Sequence, residues 1–233
     1  MSIADNIAAV HERIAAAAAR AGRSPDEVAL MAVTKTVEPS RIREAYAAGI
    51  RLFGENRVQE FERKRVELAE LHDAEFHLIG HLQSNKANKA AELFSVIDSL
   101  DSLALARKLD SVAAKLGRVL PALIEINVGG EHAKSGFAVD SPELNELLLE
   151  AERMAHLQII GLMAVPPFSE APERARPYVQ RLCQLRDTIQ ERQLPRVRME
   201  VLSIGMSHDF EVTIEEGSTC VRVGTAIFGE RPK

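Results

Sequence analysis

The chain has 233 residues, 46% of them hydrophobic, and a formal net charge of −5. That length suits one large domain or two small ones, and the even spread of charge excludes a nucleic-acid footprint or a basic membrane patch. With no tryptophan and only 4% aromatics, the core must be mostly aliphatic.

Ile3, Ile7, Val10 and Ile14 recur on one helical face, and an alanine-rich stretch carries this helix to Ala21 before Gly22 stops it. The start carries acid early and no apolar signal region, so no secretory signal is expected. No apolar run reaches the ~18 residues of a membrane span. Strands are then expected at 28–34, 50–54, 75–80, 95–98, 121–128, 157–164, 199–204 and 219–223. Helices are expected at 39–48, 56–71, 83–93, 102–116, 141–155, 171–193 and 208–216. Most of the strands are short continuous apolar runs, such as Leu123-Ile124-Glu125-Ile126-Asn127-Val128. A parallel sheet covered by helices reads this way. Eight strands with a helix in each gap predict an α/β fold, a single (β/α)8 TIM-type barrel with an additional N-terminal helix. An open doubly wound sheet is the alternative. One domain is expected over residues 1–233, and Pro166-Pro167 reads as a stiff loop within it.

In such barrels the functional residues follow the strand ends, and phosphate often sits at the loops after strands seven and eight. Lys35 closes the first apolar run, where partial loss of water leaves more free amine to condense with an aldehyde. A snorkelling lysine is the plainer reading. After strand seven comes Gly205-Met206-Ser207, with Ser207 expected to cap the helix at 208–216 and to offer a helix start to a phosphate. Asp209 and Glu211 in that first turn count against an anion. On strand eight, alternation places Cys220, Arg222 and Gly224 on one face and Val221 and Val223 on the other. A buried arginine either pairs with a carboxylate or faces a ligand. Gly224-Thr225 adds a backbone N–H and a hydroxyl beside Ser207.

Other candidates carry less. His77 and His81 bracket strand three, where residues four apart stand roughly 13 Å from each other, too far for a shared metal. His11, His72, His132, His156 and His208 read as surface residues. Lys134-Ser135-Gly136 reads as a plain turn or as positive charge brought to the mouth, and Gln83-Ser-Asn-Lys86 as a helix start with or without a role. Cys183 and Cys220 read as small buried hydrophobes, and two unpaired thiols without a signal peptide suit the cytoplasm.

Several stretches together resemble the pyridoxal-phosphate homeostasis proteins, relatives of the alanine racemase barrel. They are Ala32-Val-Thr-Lys-Thr36, Phe53-Gly-Glu-Asn56, Val58-Gln-Glu60, His77-Leu-Ile-Gly80, Leu82-Gln-Ser-Asn-Lys86, Lys134-Ser-Gly136, Leu202-Ser-Ile-Gly-Met-Ser207, Gly217-Ser218 and Val221-Arg-Val-Gly-Thr-Ala-Ile-Phe-Gly229. The resemblance implies that Lys35 forms a Schiff base with pyridoxal 5′-phosphate. It implies that Ser207, Gly224 and Thr225 hold the phosphate with Met206 backbone, that Arg222 faces the pyridine nitrogen, and that Asn56 lines the ring. His81 and His208 depart from the family pattern. Racemisation in related enzymes uses a tyrosine from a separate domain, whereas Tyr46 and Tyr178 here fall in predicted outer helices. The expectation is a cytoplasmic, monomeric protein that buffers the cofactor or delivers it to apo-enzymes, without turnover of its own. The alternatives are a racemase-like or other Schiff-base enzyme, and a lysine aldolase with no cofactor.

Overall fold

In a computed structural model that describes residues 2–131 and 135–230, eight strands hydrogen-bond in sequence order and close on themselves. They are β1 (Ala29–Val33), β2 (Leu52–Glu55), β3 (Glu75–Leu78), β4 (Val96–Leu100), β5 (Leu120–Ile126), β6 (Leu157–Ala164), β7 (Val197–Met206) and β8 (Cys220–Val223). Every neighbouring pair is parallel, including β8 with β1. The expected barrel is therefore present and the open sheet is not. The helices are α1 (Ile3–Arg20), α2 (Pro39–Ala47), α3 (Val58–Glu67), α4 (Ala87–Leu93), α5 (Leu103–Lys115), α6 (Pro142–Ala151), α7 (Arg176–Glu191), α8 (Phe210–Glu215) and α9 (Thr225–Phe228).

Local chemistry sets these boundaries. Ser2 and Asp5 form a reciprocal capping box that starts α1, and the Ser102 and Ser141 hydroxyls cap α5 and α6. The helix expected at 171–193 is broken into a 3-10 turn, Pro172–Ala175, followed by α7. Pro177 lacks an N–H and crowds the preceding turn, so one regular helix cannot run through it. The helix expected at 208–216 shrinks to α8, because a turn in which the Asp209 N–H bonds Met206 O at 3.1 Å comes first. The short α9 was not expected.

The apolar core lies between strands and helices. Val221 and Val223 join it, as do Leu30 and Ala32, whereas Met31, Cys220 and Arg222 stand apart on the inward face. A run of rings, Phe53 to Phe76 to Phe61 to Phe94, packs β2 and β3 against α3 and α4 with centroids 4.5–5.1 Å apart. α1 lies across α8 and α9. Asn6 donates to Ile227 O at 2.8 Å, Arg13 pairs with Glu211 at 3.1 Å, and Arg20 pairs with Glu215 at 2.7 Å. The additional helix thus backs the two segments that follow β7 and β8.

Candidate functional site

Lys35 sits just beyond β1 in a four-residue turn closed by the Val37 N–H on Thr34 O at 3.0 Å. Thr36 occupies the second central position with φ +62°. Turns of this kind favour glycine or asparagine there. A β-branched residue held in that region costs about 1–3 kcal/mol and persists where its surroundings over-determine it. Here they do. The Thr36 N–H donates to Glu60 Oε1 at 2.6 Å, and Lys64 Nζ donates to Thr34 O at 2.8 Å. Lys64 is also paired with Glu60 at 2.6 Å and with the fully buried Glu55 at 3.0 Å. Burial pushes the Glu55 carboxyl above its usual range against the pull of Lys64. Burial also raises Glu60, but Lys64 and the Thr36 N–H outweigh it and leave that carboxyl lowered.

The exits of β7, β8 and β1 meet. Lys35, Val33, Gly224, Thr225, Arg41 and Phe228 line one small cavity of about 60 Å³. Beside it, the Gly224 and Ala226 N–H groups donate to Ser207 Oγ at 3.2 and 3.4 Å. Ser207 therefore does not cap α8, as expected from its position ahead of that helix. The chain turns first, Asp209 Oδ1 takes the Met206 N–H at 2.7 Å, and the hydroxyl is delivered across to the start of α9. Gly205 permits this path. Its φ is +109°, and a Cβ there would lie 2.2 Å from Thr213 Oγ1. The acidic residues that counted against an anion are engaged elsewhere, Asp209 with Met206 and Glu211 with Arg13.

Arg222 is buried and, among the described residues, does not pair with a carboxylate. Nη1 donates to Ser203 O at 2.7 Å and Ser203 Oγ at 2.6 Å, and Nη2 donates to Ala164 O at 2.8 Å. Burial lowers the proton affinity of its guanidinium. The neighbouring Cys220 thiol is pushed up to about 12 by burial, which keeps it an unreactive hydrophobe. Asn56 follows β2 and lines a larger cleft of about 590 Å³ with Arg57, Gln59, His81, Gln83 and Lys86. A Cβ on Gly80 would lie 2.2 Å from Asn56 O, so these two strand exits touch. The cleft is the roomier feature of this face, yet Lys35 and the Ser207 hydroxyl lie outside it.

The sequence expectations missed three features. Glu60 and Lys64 stand four apart on the expected helix 56–71, a visible ion-pair spacing, and Glu55 interrupts an apolar run where a charge needs a partner. His77 was set aside with His81, but its Nδ1 lies 3.0 Å from Asp98 Oδ1 on the inward face. Burial disfavours its charge, but Asp98 together with Glu75 outweighs burial and raises its pKa to about 9. Ser203 as the partner of Arg222 had no sequence signal. His132 and Lys134 lie outside the described residues. Tyr46 bonds Asp73 and lies under Arg51, residues that precede β3 and β2, so it stands at the barrel end opposite Lys35. Among the described residues no group of side chains is arranged for a metal ion, and no helix is long and apolar enough to cross a membrane.

A profile of the alanine racemase N-terminal domain family matches residues 6–232. The chain belongs to that family. Within it, this chain is 45% identical to the pyridoxal phosphate homeostasis protein of Aquifex aeolicus (strain VF5), over 99% of each chain. It is 42% identical to the protein of the same name from Escherichia coli (strain K12), over 98% of this chain and 97% of the relative. The structure of PipY from Synechococcus elongatus PCC7942 with PLP bound is 37% identical with a TM-score of 0.85, covering 98% of this chain and 100% of that one. An alanine racemase of Clostridium difficile 630 shares the fold at 14% identity and a TM-score of 0.71, and this chain spans 58% of it.

Proposed function

We propose that this protein binds pyridoxal 5′-phosphate and buffers or delivers it, with Lys35 as the covalent anchor and no amino-acid turnover of its own. The observation that carries this reading is the meeting of Lys35 with Gly224 and Thr225 around one small cavity, beside the Ser207 hydroxyl. The donor set fits the cofactor. A phosphate wants convergent backbone N–H groups and hydroxyls, and an aldehyde wants an amine. The names of the full-length relatives and the PLP-bound PipY structure support the same assignment.

Lys35 would supply the amine and the bound cofactor the aldehyde, and their condensation to a C=N bond would release one water. The Ser207 and Thr225 hydroxyls would hold the phosphate with the Gly224 and Ala226 amides, which would turn to it from Ser207 Oγ, and with Met206 backbone once its N–H leaves Asp209. Arg222, fixed by Ser203 and Ala164, would present a cation to the ring nitrogen and disfavour its protonation. That weakens the ring as an electron sink and argues against transamination. Asn56 borders the ring from the exit of β2. Tyr46 stands at the far end and Tyr178 on α7 packs against the apolar core, which supports holding over turnover. Two free thiols suit a cytoplasmic protein, which we read as a monomer that serves apo-enzymes.

The purified protein should absorb in the near-visible, and borohydride should bleach that band and leave its added mass on Lys35. Mass on another lysine overturns the anchor. Cofactor should pass to an apo-enzyme that needs it. Sustained racemisation, decarboxylation or transamination at ~1 s⁻¹ or above, the low end for ordinary enzymes, overturns the non-catalytic reading.

A further inference from the structure

The turn that carries Lys35 is one its own residues disfavour, and a buried ionic network grips it on both sides. On one side, Thr34 O accepts from Lys64 Nζ at 2.8 Å, and the Thr34 hydroxyl donates to Glu55 Oε1 at 2.8 Å. On the other side, Glu60 Oε1 accepts the Thr36 N–H at 2.6 Å. Lys64 ties the two sides together through Glu55 at 3.0 Å and Glu60 at 2.6 Å. Only 8% of Lys64 and none of Glu55 is exposed.

Glu55 and Lys64 lie outside the barrel interior, while Glu60 also borders the cleft that Asn56 lines. Gly54 points inward, where an added Cβ would lie 2.7 Å from Met31 Sδ, so Glu55 on the next position points outward toward α3. Glu60 and Lys64 belong to α3 itself. Their reach to Lys35 is through the backbone on either side of it. An apolar cluster of equal volume would serve stability as well or better than buried charges. What apolar groups cannot do is bond Thr34 O and the Thr36 N–H. Without an acceptor on that N–H, a β-branched residue at positive φ relaxes toward negative φ. The relaxation turns the Lys35–Thr36 peptide and re-aims the lysine.

We infer that Glu60 and Lys64, with Glu55 beneath them, are positioning residues that hold the Thr34–Val37 turn so that the Lys35 amine meets the aldehyde of a ligand seated in the Ser207–Thr225 phosphate cup. This rests on Lys35 as the covalent anchor. The network acts on formation of the C=N bond and not on phosphate binding, which separates it from a general structural role.

The experiment titrates purified apo-protein with two ligands. Pyridoxal 5′-phosphate is followed by its near-visible band, and 4′-deoxypyridoxine 5′-phosphate, which has no aldehyde, is followed by calorimetry. For Glu60→Ala and Lys64→Met, the equilibrium constant for the covalent link should fall ~10-fold or more, the scale of one charge-assisted hydrogen bond, while affinity for the deoxy ligand stays within about 2-fold. Glu60→Gln keeps a carbonyl oxygen for the Thr36 N–H and should return the link to within about 3-fold of wild type. Equal losses for both ligands, or no loss for either, overturn the inference. Should Lys64→Met fail to fold, the Glu60 pair decides alone. A wild-type protein that takes up both ligands without a near-visible band overturns the anchor instead, a result separate from any difference among the variants.

Discussion

Two buried cations lie near Lys35, and they are satisfied in opposite ways. Lys64, outside the sheet, is paired with two carboxylates and one carbonyl, so its charge is consumed within the fold. The hydrogen bonds of Arg222, inside the barrel, go to the neutral oxygens of Ser203 and Ala164, with carboxylates such as Asp98, Asp209 and Glu125 acting on it only through space. The first arrangement fixes a backbone. The second holds a rigid positive group inside the barrel without an ionised hydrogen-bond partner. The same charge is met by ionised partners in one place and by neutral oxygens in the other.

The largest expected effect breaks the first arrangement. Lys64→Met leaves Glu55 buried without its cation, and at pH 8 this should cost about 3–5 kcal/mol in urea unfolding. Glu55 is already raised by burial, and a carboxyl with a raised folded-state pKa favours the fold increasingly as pH falls. The penalty should therefore shrink between pH 8 and pH 5. A penalty independent of pH would mean that the ammonium is not what keeps Glu55 charged.

A smaller effect probes the charge inside the barrel. His77 titrates at about 9 when folded against 6.5 ordinarily, so its contribution is fully present below pH 6.5 and is lost as pH rises through 9. Burial opposes its charge, and Asp98, with Glu75, raises it. Wild-type stability should lose on the order of 2–3 kcal/mol from this group across that window. Asp98→Asn should flatten the dependence, and an unchanged slope in that variant would assign the titration to another group.

The smallest concerns the neutral seat of Arg222. Ser203→Ala removes one hydroxyl from the guanidinium but leaves both carbonyls, so the cost should be about 1.5 kcal/mol, the low end for a hydrogen bond to a charged group. A cost as large as that of Lys64→Met would show that Arg222 depends on this seat as Lys64 depends on its carboxylates.

The barrel was legible because its signals are local and repeated. Apolar runs such as 121–128 and 157–164 declared buried parallel strands, and the eightfold strand–helix rhythm left few topologies to choose from. The placement of Lys35, Arg222 and Gly224-Thr225 at strand ends was legible for the same reason. Ser207 was found but given the wrong partner. A cap is usually read along the chain, and here the N–H groups it receives come from Gly224 and Ala226, 17 and 19 residues further on. The Glu55–Lys64 pair needed α3 packed on β2, and the His77–Asp98 pair needed β4 beside β3, before their members could meet. Sequence by itself determined the elements, their order and the residues delivered to the mouth, because backbone periodicity and side-chain polarity act over short separations. Only the tertiary structure decided which buried charges are neutralised and which turn is held under strain, because those interactions join atoms that the chain alone keeps far apart.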